Sequence, residues 1–472
     1  MYRRLLWPVL APSVLFGVAA GATVPVSVLA AMDLGASAAL ASFLVAVVGA
    51  ISLATTVPAG RLIDRVGDRR AMLLATAAAA VLTAVTVASL VWAGPGALVL
   101  FMLSTFLRAP AVNVWSLARQ AYVAERVATR EVGRAMTALG GTMRIGALVG
   151  PLLGGLLMLA LPLWSVYVLS TLCSLLALAI LYSPRLGGRH EEGYDTPGRR
   201  TVHATPDGPA LDGSPGGLDV RWDAVLLAGV AISTLAVARV AQPVLIQLWG
   251  VQIGLGAAQI SLAVAVGAAV EILLMFPAGV LKDRLGRSPV LVTCLVVYGG
   301  GFLLLPLAGS WWGVVGAVAV MAVGNGLGAG INMTIGADLS PPVGRGRFLG
   351  IWAIFSNVGV LGGPGLVSVL LLLATTQAAV LAVGGLALGG AAWMALWRGG
   401  SPCPPGSEAY DCRAPPPSQT MAAATIARTP VSSIGCSTGA KWGLWLDGNS
   451  CSALPLASAS AQAVASKAPK PQ

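Results

Sequence analysis

Long apolar runs, each of the length a bilayer core demands, alternate along this chain with short polar breaks. The runs fall near 8–32, 38–60, 71–92, 97–118, 135–160, 163–182, 224–248, 258–280, 289–308, 312–334, 347–373 and 377–397. About 20 consecutive apolar residues suffice for a membrane-spanning helix, so the pattern predicts an all-α polytopic membrane protein with twelve transmembrane helices. Two stretches leave this rhythm. Residues 184–222 are polar and rich in Gly and Pro, which reads as a flexible linker, and residues 399–472 are rich in Ala, Ser and Pro without a sustained period, which reads as a disordered tail. The expected plan is a six-helix bundle over 1–183, the linker, a second six-helix bundle over 223–398, and the tail.

Composition and charge sharpen this picture. The chain is 56% hydrophobic and only 10% charged, with a mean hydropathy of +0.82, which excludes a soluble multidomain protein. The net charge of +11 is not spread evenly. Arg3 and Arg4, the segments 61–70, 119–134, 185–200 and 282–287, Arg345, Arg347 and Arg398 all belong to one side, while "AGPGA", "LPLW", "GVQIGLGAAQ", "AGSWW" and "ATTQ" on the other are uncharged and only Asp33 stands in the first loop there. The positive-inside rule then puts the charged side and both termini in the cytoplasm of a cell whose plasma or inner membrane holds the protein. Basic residues confined to breaks between spans argue against a nucleic-acid partner, which needs a basic face on a soluble domain. "MYRRLL" could open a signal peptide, but the apolar run behind it continues to about Met32 and is long enough to span. Cys173 and Cys294 lie in spans and Cys403, Cys412, Cys436 and Cys451 in the tail without metal-ligand spacing, so reduced thiols, no metal and no cofactor are expected.

The two halves repeat. At an offset of 219, Pro58, Ala59, Gly60, Leu62, Asp64, Arg65 and Gly67 match Pro277, Ala278, Gly279, Leu281, Asp283, Arg284 and Gly286. At an offset of 213, Glu125 meets the acidic Asp338, and Gly133, Arg134, Gly146, Gly150 and Pro151 match Gly346, Arg347, Gly359, Gly363 and Pro364. The expected fold is therefore two pseudo-symmetric bundles in parallel topology, with a binding site at their interface and rocking of one against the other.

"GRLIDRVGDRR" and "GVLKDRLGR" resemble the signature loop of the major facilitator superfamily, which lies between spans two and three and again between eight and nine. The resemblance covers roughly residues 5–398. It implies that Gly60, Asp64, Arg65, Gly67 and Arg70, with Gly279, Asp283, Arg284 and Gly286, form a cytoplasmic gate whose charges make salt bridges and cap a helix end when the transporter faces outward. Physically, a carboxylate is favoured at a helix N-terminus and Arg bridges carboxylates in a fork. Gly146, Gly150, Pro151, Gly154 and Gly155 in "GALVGPLLGG" resemble the fifth-span motif of the drug/proton antiporters, although Thr137 stands where that motif has Gly. Gly146, Gly150 and Gly154 share one helix face, which suits close helix packing, and Gly17 with Gly21 form a similar small pair within the monomer.

Four ionisable residues inside spans have no like-charged counterpart in the other half: Arg108, Arg144, Arg239 and Glu271. A charge at such depth costs about 2.5–3.5 kcal/mol on insertion scales, so each needs a cavity or a partner. Glu271 lies roughly 12 Å above Gly279. Desolvation favours the protonated form of a carboxyl, which makes Glu271 a candidate for proton coupling and equally a partner for an Arg. Arg108 in "FLRAPAVNVW" resembles the superfamily's fourth-span Arg, associated with proton transfer, with Ala111 and Val112 replacing Gln and Gly. Arg144, Arg239, Gln242, Asn325 and Asn332 are candidates for a substrate cavity. Gln242 shares a helix face with Arg239, Pro243 is expected to break span seven, and Asn325 and Asn332 are expected on one face of span ten. Trp115 and Trp249 near span ends are expected as interfacial anchors.

Taken together, these features point to secondary active, proton-coupled efflux of a small amphipathic molecule or drug. The alternative is transport of an organic anion or zwitterion gripped by Arg108, Arg144 or Arg239, because three Arg against one Glu suits cationic drugs poorly. A membrane enzyme is not expected: His190 and His203 both lie in the linker, and no nucleophile-base spacing, nucleotide loop or metal cluster appears.

Overall fold

The computed structural model describes residues 5–127, 129–183, 220–341 and 345–396. The linker read over 184–222 falls almost wholly outside them, as do the tail over 399–472, His190, His203 and the four tail cysteines. Among the described residues, twelve helices long and apolar enough to cross a membrane follow one another. We label them α1 (Leu6–Asp33), α2 (Ala38–Val66), α3 (Asp68–Trp92), α4 (Ala97–Arg126), α5 (Thr129–Met158), α6 (Trp164–Tyr182), α7 (Trp222–Gln252), α8 (Ala257–Leu285), α9 (Arg287–Leu307), α10 (Trp311–Leu339), α11 (Arg345–Leu373) and α12 (Thr376–Leu396).

Several helices outrun their apolar windows at the charged end. The phrase around Asp64 is not a loop: α2 runs to Val66, α3 starts at Asp68, and Gly67 alone reverses the chain. Hydropathy marks where hydrocarbon ends, but Arg, Leu and Asp continue a helix well beyond that depth. Gly67 has φ 82° and ψ 152°, and its repeat partner Gly286 has φ 81° and ψ 165°. Side chains other than hydrogen avoid this region, so glycine is required at both reversals.

Each half pairs its helices in the same way. In the first, α1 packs on α5 and α6, α3 on α4 and α6, and α2 on α4; in the second, α7 packs on α11 and α12, α9 on α10 and α12, and α8 on α10. The halves meet along α2 with α11 and α5 with α8, two contacts that the repeat interconverts. This is the all-α fold of two pseudo-symmetric six-helix bundles that the repeat predicts. In a membrane, where apolar lipid offers no drive toward helix association, small residues at the contacts let backbones approach. A Cβ on Gly146 would stand 2.1 Å from the Gly17 carbonyl carbon, and one on Gly150 would stand 2.5 Å from the Ala22 nitrogen. In the second half a Cβ on Gly359 would lie 2.3 Å from the Ala236 carbonyl carbon. The antiporter-like glycines therefore seat α5 on α1, except Gly154, which has room, and Gly155, which faces Leu262 of α8.

The bundles are tied together toward the uncharged end. Ser261 of α8 donates to the Pro151 carbonyl of α5 at 2.8 Å, and Ser368 of α11 donates to the Ala39 carbonyl of α2 at 3.0 Å. The outer part of α2 is covered accordingly, with Ala39, Ala41, Ser42 and Leu44 buried. Past Gly49, Leu53, Val57 and Leu62 are exposed, while Ala59 and Ile63 stay buried in the core of the first bundle. The ties described at the charged end stay within one bundle: Arg69 donates to the Leu181 carbonyl, Lys282 to the Ala329 carbonyl, and Arg287 pairs with Asp338.

Two aromatic expectations fail. Trp115 is buried and stacks on Phe16 with centroids 3.9 Å apart, and Trp249 is buried with its indole N–H donated to the Ala308 carbonyl. Both face inward because the neighbouring helices offer a ring face or a free carbonyl there. Arg119, read as a loop cation, is instead a buried residue of α4 lying over the Trp115 ring at 4.6 Å.

Candidate functional site

Near the midpoints of α5, α7, α8 and α10 a polar network crosses from one bundle to the other. Arg144 of α5 donates from Nη1 to Glu271 Oε1 of α8 at 2.6 Å. Asn325 of α10 donates from Nδ2 to the other carboxylate oxygen at 2.7 Å, and its own Oδ1 accepts from Arg239 Nε of α7 at 2.6 Å. Of the two roles open to Glu271, the partner of an Arg is present in the geometry. The ion pair is not fully buried within the protein, since the side chains keep 34% and 25% of their exposure.

A break in α10 determines what Arg239 does. The helix stops at Leu327 and resumes at Ile331, with Gly330 at φ 76°. The carbonyl end of the first piece carries the negative end of its dipole into the bundle interior. Arg239 Nη2 donates to the Gly328 carbonyl at 3.0 Å and to the Asn325 carbonyl at 3.4 Å, and Lys282 takes the Ala329 carbonyl. Arg239 is thus the cap of a broken helix.

This geometry corrects two expectations. Pro243 does not break α7, which runs unbroken from Trp222 to Gln252; a proline's missing N–H is tolerated in a membrane helix when neighbours compensate. Asn325 and Asn332 lie on two separate helical pieces on either side of the glycine break and bond different partners. Asn332 joins a separate cluster, donating to Ser356 Oγ at 2.6 Å and accepting from the Trp352 indole at 2.9 Å. Gln242, three residues from Arg239 on the unbroken α7, accepts the Tyr298 hydroxyl at 2.5 Å.

Arg108 lies elsewhere. It lines a cavity formed by α1, α2, α3, α4, α6 and α7, whose apolar wall includes Leu44, Val48, Phe101 and Val244. A second cavity is lined by Arg239, Asn332 and Ser356 within the second bundle. Arg144 and Gln242 border neither of these two.

Sequence reading missed Gln247. Among the described residues it is fully buried, and it splices α1, whose helical ladder is interrupted at Val24–Val26 around Pro25. The Val28 N–H donates to Gln247 Oε1 at 3.0 Å, and Gln247 Nε2 donates to the Val24 carbonyl at 3.1 Å. A polar residue inside "PVLIQLWG" was the available signal. Among the described residues no group of three or more His, Cys, Asp or Glu could hold a metal.

Of curated proteins, the inner membrane transport protein YajR of Escherichia coli (strain K12) is 30% identical over 115 residues, a match that spans a quarter of each chain. Among solved structures, a peptide transporter POT in complex with sulfate superimposes with a TM-score of 0.65 at 14% identity, covering 84% of this chain and 94% of that one. A D-xylose-proton symporter does so with a TM-score of 0.61 at 13% identity, covering 83% and 97%. At such identities these structures speak for the fold. The family model of the Major Facilitator Superfamily matches residues 10–238 and 224–442. Twelve spans, a doubled reversal at Gly67 and Gly286 and this match over both halves show that the chain is a multi-pass membrane transporter belonging to the major facilitator superfamily.

Proposed function

We propose that this chain is a proton-coupled secondary transporter that moves a small amphipathic solute by alternating access, with Glu271 as the coupling carboxylate. The observation that carries this reading is the Arg144–Glu271 pair at 2.6 Å, because it joins the bundles that must rock against one another. Ionised, Glu271 holds Arg144 across the interface and Asn325 within its own bundle. Protonated, it loses the charge that makes the first bond strong, and the bundles separate more easily at that level. A proton delivered from one side and released to the other thereby biases which arrangement prevails.

The orientation we adopt puts the charged end in the cytoplasm, on the strength of the Lys and Arg excess there. The ties at Ser261 and Ser368 then close the outer side, and the gate residues Asp64, Arg65, Arg70, Asp283 and Arg284 act in the opposite, outward-facing arrangement. Export is the direction supported by the resemblance of Gly146 to Gly155 to the drug/proton antiporters. In this structure those glycines serve helix packing.

The test is proton movement in reconstituted liposomes holding an inside-acid gradient, recorded on adding lipophilic cations and then organic anions, beside Glu271→Gln. Solute-triggered proton release that vanishes in the variant supports the assignment. Release that persists unchanged in Glu271→Gln moves coupling to another residue.

A further inference from the structure

The four intramembrane ionisable residues do not end in equal circumstances. Arg144 is matched by Glu271, and Arg239 is matched by the carbonyl end of the broken α10. Arg108 makes no hydrogen bond or ion pair with a described residue, yet it borders the cavity between α1, α2, α4 and α7. Several other polar groups on that wall are committed, while the Tyr167 hydroxyl and Thr105 also face the chamber. Gln247 is spent on the backbone of α1 and on the Pro243 carbonyl, Thr23 donates to the Ala19 carbonyl, and Thr86 bonds Ser104 and the Leu82 carbonyl. What remains is a mostly apolar chamber with one uncompensated guanidinium. A charge in such a place requires a partner, and the guanidinium fork matches a carboxylate in two parallel hydrogen bonds.

We propose that this chamber binds an amphipathic organic anion with a single carboxylate, its head on Arg108 and its apolar body against Leu44, Val48, Phe101 and Val244. The lining is mostly apolar with a few polar groups, as in small-molecule sites generally. Residues of α1, α2 and α4 from one bundle and Val244 of α7 from the other line the chamber, so relative motion of the bundles changes its shape. The proposal names the solute class for the transport reading above and rests on that reading for calling the anion a substrate. The binding site itself stands apart from it.

The experiment is calorimetric titration of the full-length protein in nanodiscs with 2-naphthoate, 2-naphthamide and 2-naphthylmethylammonium, which share a ring system and differ in charge. Naphthoate is expected to bind, with the amide and the cation weaker by roughly tenfold or more. Arg108→Gln is expected to weaken naphthoate by roughly tenfold to a hundredfold, the effect of losing a charged hydrogen-bond partner, while Arg108→Lys retains part of the affinity. Val48→Trp, which fills the chamber and leaves Arg108 in place, is expected to block naphthoate as well; thermal melting confirms that each variant is folded. Equal binding of the amide, no binding of naphthoate to the folded wild type, or unchanged naphthoate affinity in Arg108→Gln would each overturn the proposal. Naphthoate bound through Arg108 without any proton movement in liposomes would retire the coupled-transport reading and leave the site intact. Proton flux triggered by the cation without naphthoate binding would do the reverse.

Discussion

Gln247 of α7 stands where α1 lacks a helical hydrogen bond: its amide oxygen accepts the Val28 N–H at 3.0 Å and its amide nitrogen donates to the Val24 carbonyl at 3.1 Å. In an unbroken helix those two backbone groups would bond each other. A side chain from one bundle thus repairs the backbone of the other, and the repair holds only while the uncharged ends are together.

Replacing this amide leaves the Val28 N–H of α1 without a partner in an apolar setting, while the Val24 carbonyl keeps the Ser27 N–H and hydroxyl. Each unsatisfied buried group costs about 1–3 kcal/mol. Gln247→Leu is therefore expected to lower the melting temperature and to open the uncharged end, so that a cysteine placed nearby, as in Ser27→Cys, reacts faster with a membrane-impermeant thiol reagent. An unchanged rate of labelling would show that Gln247 does not hold the bundles together.

The mid-membrane pair yields a second expectation. Arg144→Gln leaves the Glu271 carboxylate without its cation, whereas Arg144→Gln with Glu271→Gln leaves no charge to compensate. Because both groups keep some exposure, the single variant should lose about 1–2 kcal/mol rather than the 3–5 of a sealed pair. The double variant should recover most of that stability and still exchange solute down its gradient, but without pH-driven accumulation. Melting curves beside liposome exchange separate the two effects; pH-driven accumulation by the double variant would remove this pair from coupling.

Arg239 lends itself to a similar comparison. Its fork spans the Asn325 side chain and the Gly328 carbonyl, a geometry that an ammonium cannot copy. Arg239→Lys should accordingly behave almost as poorly as Arg239→Gln, each losing about 1.5–3 kcal/mol for a charged hydrogen bond. Full recovery by Lys would mean that only the charge at the broken helix end matters.

Much of this fold is legible in the sequence because it repeats. Twelve apolar windows, the doubled "GRLIDR" and "GVLKDR" and the spaced glycines from Gly146 mark span number, internal symmetry and a closely packed face on α5, all of which depend on local composition. The partners of polar side chains depend on which helices meet, and a hydropathy window does not contain that. Glu271 stood out as costly in isolation, but its match with Arg144 is settled only by α5 crossing α8. The break in α10 was masked because Gly328 and Gly330 are as apolar as their neighbours, and Pro243, the more conspicuous signal, proved harmless. Gln247 looked like one amide in a greasy run until the gap around Pro25 gave it something to bond.

The glycines of the repeated phrase supply the last expectation. A Cβ on Gly60 or Gly279 would meet nothing within 4 Å, so neither needs to be glycine in this arrangement. Glycine inside a helix costs roughly 0.5–1 kcal/mol relative to alanine, yet it occurs at the same place in both halves. Close approach of the charged ends in the opposite arrangement accounts for both observations, since only there would a side chain obstruct. Gly60→Leu and Gly279→Leu should therefore melt at or above the wild-type temperature while transport falls to background, with the distance between spin labels across the charged ends fixed at its longer value. Transport at the wild-type rate in both variants would show that these positions never close upon a neighbour, and the repeated phrase would then serve topology alone.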